Sequence, residues 1–368
     1  MSFEAFKFSP QIDAAVTAAG YRTPTPIQSE TIQPALDGQD ILGLAQTGTG
    51  KTAAFALPIL ERLMKGRRGV LRAVILSPTR ELAEQTHTVF KGLGSRTGLR
   101  SLSVYGGVGT VPQIRALRAG VDIVVACPGR LLDLINQGVI NLSSVQTLVL
   151  DEADQMFDMG FLPGIRRILQ ALPRERQTML FSATMPSEVR SLAMEMLTNP
   201  ITVEIGASRP VDCVRQAVVP VEQEQKYSTL LNLLSTAGEG QVLVFTRTKH
   251  RARRLATLLV EDGLSATSLQ GNLSQNQRQI AMDGFRSGKI RVMVATDIAA
   301  RGIDIRQVSH VINFDVPDTA EAYTHRIGRT GRMSRLGHAY TFATRDDLPM
   351  IRSIERLLSA PLERKPIH

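Results

Sequence analysis

"ILGLAQTGTGKTAAFALPILERLM", residues 41–64, joins three patterns in one stretch. The apolar run from Ile41 to Ala45 has the length of a buried strand, a glycine-rich turn follows, and an apolar periodic segment over 51–64 reads as a helix. Strand, glycine turn and helix in this order make a phosphate-binding loop. The glycines let successive N–H groups face a phosphate, and the helix N-terminus adds its dipole. In "AQTGTGKT" the segment Ala45, Gln46, Thr47, Gly48, Thr49 and Gly50 would line the anion. Lys51 would reach its outer oxygens, and the Thr52 hydroxyl would ligate Mg²⁺. Ala45 stands where the strict pattern has glycine, so on this motif alone a glycine turn without function stays open.

Runs of the same kind recur downstream: "AVILS" from 73, "SLSVY" from 101, "DIVVAC" from 122, "TLVLD" from 147, "TMLFSA" from 178 and "ITVEI" from 201. Continuous β-branched runs suit strands covered on both faces of a parallel sheet. Helical patterns separate them, as in "RELAEQTHTVFKG", 80–92. The alternation restarts with "VLVFT" from 242, "SATSLQ" from 265, "RVMVATD" from 291, "HVINFD" from 310 and "HAYTFAT" from 338, with helices near 249–262 and 275–286. Ser274 and Gln277 have the spacing of a capping box. Between the two series "GASRPVDC", 206–213, breaks both periods and reads as a linker. The expected fold is α/β, with two parallel-sheet domains in tandem, 1–207 and 212–368.

A chain of 368 residues exceeds one ordinary core, in keeping with two domains. Its net charge of +9 favours a polyanionic partner, and nine Lys/Arg meet four Asp/Glu between His325 and His368. With no Trp and 5% aromatic residues it offers few surfaces for stacking bases, so a grip on nucleic acid would fall on the backbone. Cys127 and Cys213 lack a CxxC partner or a histidine cluster, which argues against a zinc site or disulfides and fits a reducing compartment. "MSFEAFKF" has no apolar signal region, and no apolar run approaches membrane-spanning length. The expected location is the cytoplasm, with no membrane partner.

"TLVLD" ends in Asp151, followed by Glu152, within "DEAD". A phosphate loop needs a carboxylate at a neighbouring strand end to hold Mg²⁺, and Asp151 suits it. Glu152 can orient and deprotonate an attacking water. Without the phosphate loop, "DEAD" would read as an acidic surface turn.

"AQTGTGKT", "PTRELA", "DEAD", "SAT", "ATDIAARGID" and "HRIGRTGR" stand in the order and spacing of DEAD-box RNA helicases, which the chain resembles over nearly its whole length. "GYRTPTPIQ", Gly20 to Gln28, resembles that family's Q motif, with Phe3 as the upstream aromatic, and "QGNLSQNQR" resembles the bacterial RhlE branch. The resemblance implies two RecA-like domains, ATP and Mg²⁺ as cofactors, and a monomer acting on RNA. It further implies RNA-stimulated ATP hydrolysis that locally unwinds short duplexes or remodels RNA–protein complexes, with ribosomal precursors or an RNA-degrading complex as partners. An ATP-gated RNA clamp with little unwinding, or a DNA-directed helicase, would use the same scaffold.

By that resemblance Gln28 reads the adenine edge, Phe3 stacks on the ring and Thr23 fixes the loop. By residue type alone, Phe3 could anchor the N-terminus and Gln28 could cap a helix. Gly302 and Asp304 of "RGID" would hold the ribose. Contacts to the RNA backbone fall to Pro78, Thr79, Arg80, Gly107, Pro128, Gly129 and Arg130, and in the second domain to Gln275, Arg278, Thr296 and Asp297. Ser182, Ala183 and Thr184 would couple hydrolysis to unwinding, with His325 and Arg326 holding the interdomain surface. Arg329 and Arg332 would be arginine fingers, placed by their three-residue spacing on one side of a helical turn. Cys127 stands where the family has threonine. A thiol is a weak donor, so that RNA contact does not carry over and Cys127 reads as a small buried residue.

Overall fold

The computed structural model describes residues 2–46, 48–205, 214–300, 308–331 and 337–365, with the backbone alone at Ile298 and Ala300. The expected linker 206–213 and the candidates Thr47, Gly302, Asp304 and Arg332 lie outside the described residues. The chain divides into two compact units, Met1–Ala207 and Ser208–His368.

The first unit is built on β1 (Ile41–Leu44), β2 (Ala73–Leu76), β3 (Ser101–Val104), β4 (Ile123–Ala126), β5 (Thr147–Leu150), β6 (Gln177–Ser182) and β7 (Ile201–Glu204). They form one parallel sheet in the order β3-β4-β2-β5-β6-β1-β7. Every residue of β2, β4, β5 and β6 is buried, which is why these strands read as unbroken apolar runs. The edge strands β3 and β7 are half-buried or exposed along most of their length, so serines and a glutamate fit there. Helices on both faces close two cores, one around Phe3, Phe6, Phe55 and Phe181, the other around Leu131, Leu148, Met156 and Ile165. Truncating a fully buried ring such as Phe55 or Phe181 would cost about 3–5 kcal/mol. Gly43 is required where β1 meets that ring, because a Cβ there would lie 2.5 Å from Phe181 Cδ1.

The second unit repeats the plan with β8 (Val214–Pro220), β9 (Gln241–Phe245), β10 (Ala266–Leu269), β11 (Val292–Ala295), β12 (Val308–Asn313), β13 (Gly337–Ala343) and β14 (Glu363–Arg364). The parallel order is β10-β11-β9-β12-β13-β8-β14. The expected helices are present as Lys51–Leu63, Arg80–Leu93, Lys249–Glu261 and Gln275–Arg286. The last begins with the expected capping box: Gln277 N–H donates to Ser274 Oγ at 3.3 Å, and Ser274 N–H to Gln277 Oε1 at 2.9 Å. Among the described residues no helix is long and apolar enough to cross a membrane. Because each sheet is wholly parallel, the loops after its strands gather at one edge, where α/β proteins place their chemistry.

Candidate functional site

In the first unit β1, β6 and β5 are adjacent, so the glycine loop after β1, "SAT" after β6 and "DEAD" after β5 meet at one edge. Gly48 and Gly50 adopt φ of 89° and 96°, a left-handed backbone that side chains rarely accept. Thr49 Oγ1 donates to Gln46 O at 2.8 Å, closing the turn. Lys51 and Thr52 open the following helix. Lys51 is buried, its Nζ donating to Ala45 O at 2.8 Å.

Asp151 is 2% exposed, and its Oδ1 has no hydrogen-bond partner. Burial pushes its carboxyl up to about 7; Lys51 opposes that shift, while Glu152 and Asp154 add to it. A buried carboxylate oxygen without a partner, beside a buried lysine, fits a divalent cation. Among the described residues no group of three or more His, Cys, Asp or Glu could hold a metal alone. A hard cation here would therefore draw its other ligands from phosphate oxygens and water, the habit of Mg²⁺. Glu152, also buried, takes φ 56° at the start of the short helix Ala153–Asp158 and accepts a hydrogen bond from Gln155 Nε2. A non-glycine residue in that conformation stores backbone strain, a feature concentrated at functional sites.

Asp154 was not singled out in the sequence. Its Oδ2 accepts from Ala183 N at 3.1 Å, from Thr184 N at 2.9 Å and from Thr184 Oγ1 at 2.9 Å, while its own N–H donates to Ser182 Oγ at 3.2 Å. The last letter of "DEAD" thus holds all of "SAT", and it follows the two acidic residues that drew notice.

The adenine-side candidates have protein partners. Gln28 is 1% exposed and completes a capping box with Thr25, its Oε1 accepting from Thr25 N at 2.9 Å. Its Nε2 donates to Gly50 O at 3.1 Å, fastening the glycine loop to the helix Pro26–Leu36. Phe3 is 5% exposed and sits edge-on to Phe6 and Tyr21, with ring centroids 6.0 and 5.8 Å away. The ring thereby anchors the N-terminal segment on the core. Thr23 is exposed in the bend before that helix.

The nucleic-acid candidates of this unit follow β2, β3 and β4, which are also neighbours. Thr79 caps the helix Arg80–Leu93, its Oγ1 accepting from Leu82 N at 3.3 Å, behind a buried Pro78. Gly107 has φ 78°, and a Cβ there would run into the Arg80 guanidinium, so the two fit closely together. Pro128 and Gly129 open the helix Pro128–Asn136, and Arg130 Nη2 donates to Val108 O at 3.5 Å. Cys127 is buried as expected, and burial pushes its thiol up to about 12.

In the second unit Gln275 and Arg278 lie in the first turn of their helix, and Arg278 Nη2 donates to Ala299 O at 3.3 Å. Thr296 follows β11, its N–H bonded to Leu269 O at 3.4 Å. Asp297 is engaged within the unit: Arg326 Nε and Nη2 reach its two oxygens at 2.6 and 2.7 Å. Arg326 Nη1 also donates to Asn313 Oδ1 at 3.1 Å and Asp315 O at 2.7 Å, and the guanidinium lies 5.0 Å from the Phe245 ring centroid. At 2% exposure Arg326 is an interior strut of the second unit. His325 beside it is half-buried.

The helix carrying both ends at Ile327, and turn bonds continue only to Thr330 before Gly331 takes φ 70°. Arg329 is 6% exposed, on that last turn.

A family model described as DEAD/DEAH box helicase matches residues 25–192, and one described as helicase conserved C-terminal domain matches 225–334. The DEAD-box ATP-dependent RNA helicase CshA of Bacillus subtilis strain 168 is 42% identical over 365 residues, covering 99% of this chain and 74% of that protein. CshA of Geobacillus kaustophilus is 41% identical over 364 residues, covering 99% and 78%. Among solved structures, S. cerevisiae Dbp5 bound to RNA and ADP BeF3 matches with a TM-score of 0.88 at 30% identity, covering 100% of this chain and 96% of that one. The glycine loop, the acidic strand end and the second sheet thus have counterparts in order along the chain, which belongs to the DEAD-box family of ATP-dependent RNA helicases.

Proposed function

We propose that the chain binds ATP with Mg²⁺, hydrolyses it when RNA is bound, and uses the cycle to separate short RNA duplexes locally or to remodel RNA–protein complexes. The observation that carries this reading is the buried, unpartnered Oδ1 of Asp151 beside Lys51 and the strained Glu152. The glycine-loop amides receive the phosphates, and Lys51 turns from Ala45 O to their outer oxygens. Asp151, with Thr52, holds the cation, which neutralises phosphate charge when bound. Glu152 orients a water and takes its proton as the water oxygen attacks the γ-phosphorus and the bond to the bridging oxygen breaks. Asp154 relays the state of this corner to Ser182, Ala183 and Thr184 through its hydrogen bonds.

Gln28 serves the same site by tying the purine side to the phosphate side through Gly50. Arg329 and Arg332 supply positive charge to the transferring phosphoryl group, a role supported by their pattern in "HRIGRTGR". The loops at Arg80, Gly107 and Arg130 grip the RNA backbone and carry little sequence information. Dbp5 supports the RNA reading, since it binds RNA and a nucleotide on a matching fold.

The test is ATP turnover with RNA and with DNA of the same sequence, for the wild type and Glu152→Gln. The expected result is stimulation by RNA alone, and turnover in the variant lower by about 10²–10⁴ while ATP still binds. Wild-type turnover in Glu152→Gln would remove Glu152 from the chemistry.

A further inference from the structure

The helix Thr110–Arg118 lies on the surface of the first unit, and its one buried residue is a glutamine, Gln113, 7% exposed. A polar residue where a surface helix usually buries an apolar one needs a reason. Its amide supplies one. Gln113 Oε1 accepts from Tyr105 N at 3.2 Å, and Nε2 donates to Tyr105 O at 3.2 Å and to Gly109 O at 3.3 Å. The side chain pairs both backbone groups of Tyr105, as another strand would, just past the end of β3 at Val104. Both amide hydrogens are engaged, so Gln113 cannot donate to a ligand without releasing the loop.

The loop is gripped from its other side as well. Glu84, whose Oε1 accepts from Ser103 Oγ at 2.6 Å, acts on the Tyr105 hydroxyl from that side. Arg130 holds Val108 O, and Gly107 lies against Arg80 with no room for a Cβ. Residues 105–109 are therefore fixed in shape by Gln113 and Glu84, neither of which belongs to the expected RNA-contacting set.

We infer that Gln113 is a positioning residue for RNA, holding the Tyr105–Gly109 loop so that Gly106 and Gly107 meet the sugar–phosphate backbone already ordered. The inference rests on the RNA-binding reading above. A loop ordered in advance spares the conformational entropy that binding would otherwise remove. Glu84 and Tyr105 act in the same way from the opposite side.

The full chain carries the test. Gln113→Leu keeps the volume and removes the amide; Tyr105→Phe leaves the helix untouched and removes only the hydroxyl on the Glu84 side. Both are titrated with fluorescein-labelled oligouridine in the presence of ATP at several salt concentrations, and with nucleotide in the absence of RNA. Hydrogen exchange of residues 105–109 is followed alongside. The expected result for Gln113→Leu is RNA binding about tenfold weaker, equivalent to the loss of one or two hydrogen bonds. The salt dependence should be shallower, amide exchange in the loop faster, and nucleotide affinity unchanged. Tyr105→Phe should move the same readouts in the same direction by less, and if Gln113→Leu does not fold, Gln113→Glu, which keeps the shape and loses both amide donors, decides the matter. Undiminished RNA affinity in a folded variant, with normal binding by the wild type, overturns the inference. Equal losses of RNA and nucleotide affinity also overturn it, since they mark general damage. A wild type that binds no RNA at all breaks the RNA reading instead.

Discussion

At the strand ends of the first unit Asp151 is buried with Oδ1 unpartnered near Lys51, whereas at those of the second unit Asp297 is closed by both arms of Arg326. The same contrast recurs nearby. Lys51 rests on a backbone carbonyl of its own loop, while Lys226 and Arg251 meet Asp315, and Arg247 N–H donates to that carboxylate's other oxygen at 2.9 Å. One parallel plan thus carries two electrostatic designs. The first unit keeps its charged groups poised for a ligand, at the cost of a raised carboxyl pKa and a left-handed glutamate. In the second the strand-end carboxylates Asp297 and Asp315 are matched by cations of the same unit, so these residues shape loops.

Cutting one strut of the second unit sharpens this contrast most. Arg326→Met leaves Asp297 without its partner and Asp315 O without a donor, and should destabilise the second unit by about 3–5 kcal/mol. Chemical denaturation read by hydrogen exchange in peptides from each unit checks this, with the peptides of the first unit little changed. A uniform loss in both units would mean that the pair is not local to the second.

Acid should separate the units more gently. Burial, His338 and Arg291 hold His310 down at about 4 from 6.5. The unfolded chain therefore takes that proton more readily, and the second unit loses stability as pH falls from 6.5 toward 4. In the first unit hydrogen bonds from His87, Ser103 and Tyr105 hold Glu84 at about 2 from 4.5, so its contribution is lost only below 4.5. Asp151, raised from 3.8 to about 7, works in the opposite sense, favouring the folded first unit as pH falls through that range. Between pH 6.5 and 5 the denaturation midpoint should drop for peptides of the second unit and rise for those of the first. The reverse order would contradict these assignments.

Much of this was legible in the sequence, because a strand buried on both faces must be apolar throughout, and the inner strands of both sheets announced themselves. Two strands did not. In β8, Arg215 and Gln216 interrupt the apolar run before a terminal Pro220, and β14 is the exposed pair Glu363–Arg364 added along the edge of β8. The site was legible where chemistry depends on local spacing, as in the glycine loop. It was illegible where function passes through contacts distant in sequence. Asp154 holding Thr184, Arg326 holding Asp297 and Gln28 holding Gly50 are long-range pairings, and no periodicity reports them. The packing of Phe3 against Phe6 and Tyr21 was likewise invisible, since an aromatic beside a nucleotide motif suggests a role by type and not its neighbours.

The most direct measurement of the central contrast is nucleotide affinity in two full-length variants, Lys51→Ala and Arg326→Met, titrated with a fluorescent ATP analogue and Mg²⁺ without RNA. If the first unit alone holds the nucleotide, Lys51→Ala weakens binding by about a hundredfold, the worth of charge-assisted hydrogen bonds to phosphate, and Arg326→Met stays within about threefold of the wild type. Equal losses in the two variants, or a greater loss in Arg326→Met, would contradict the account.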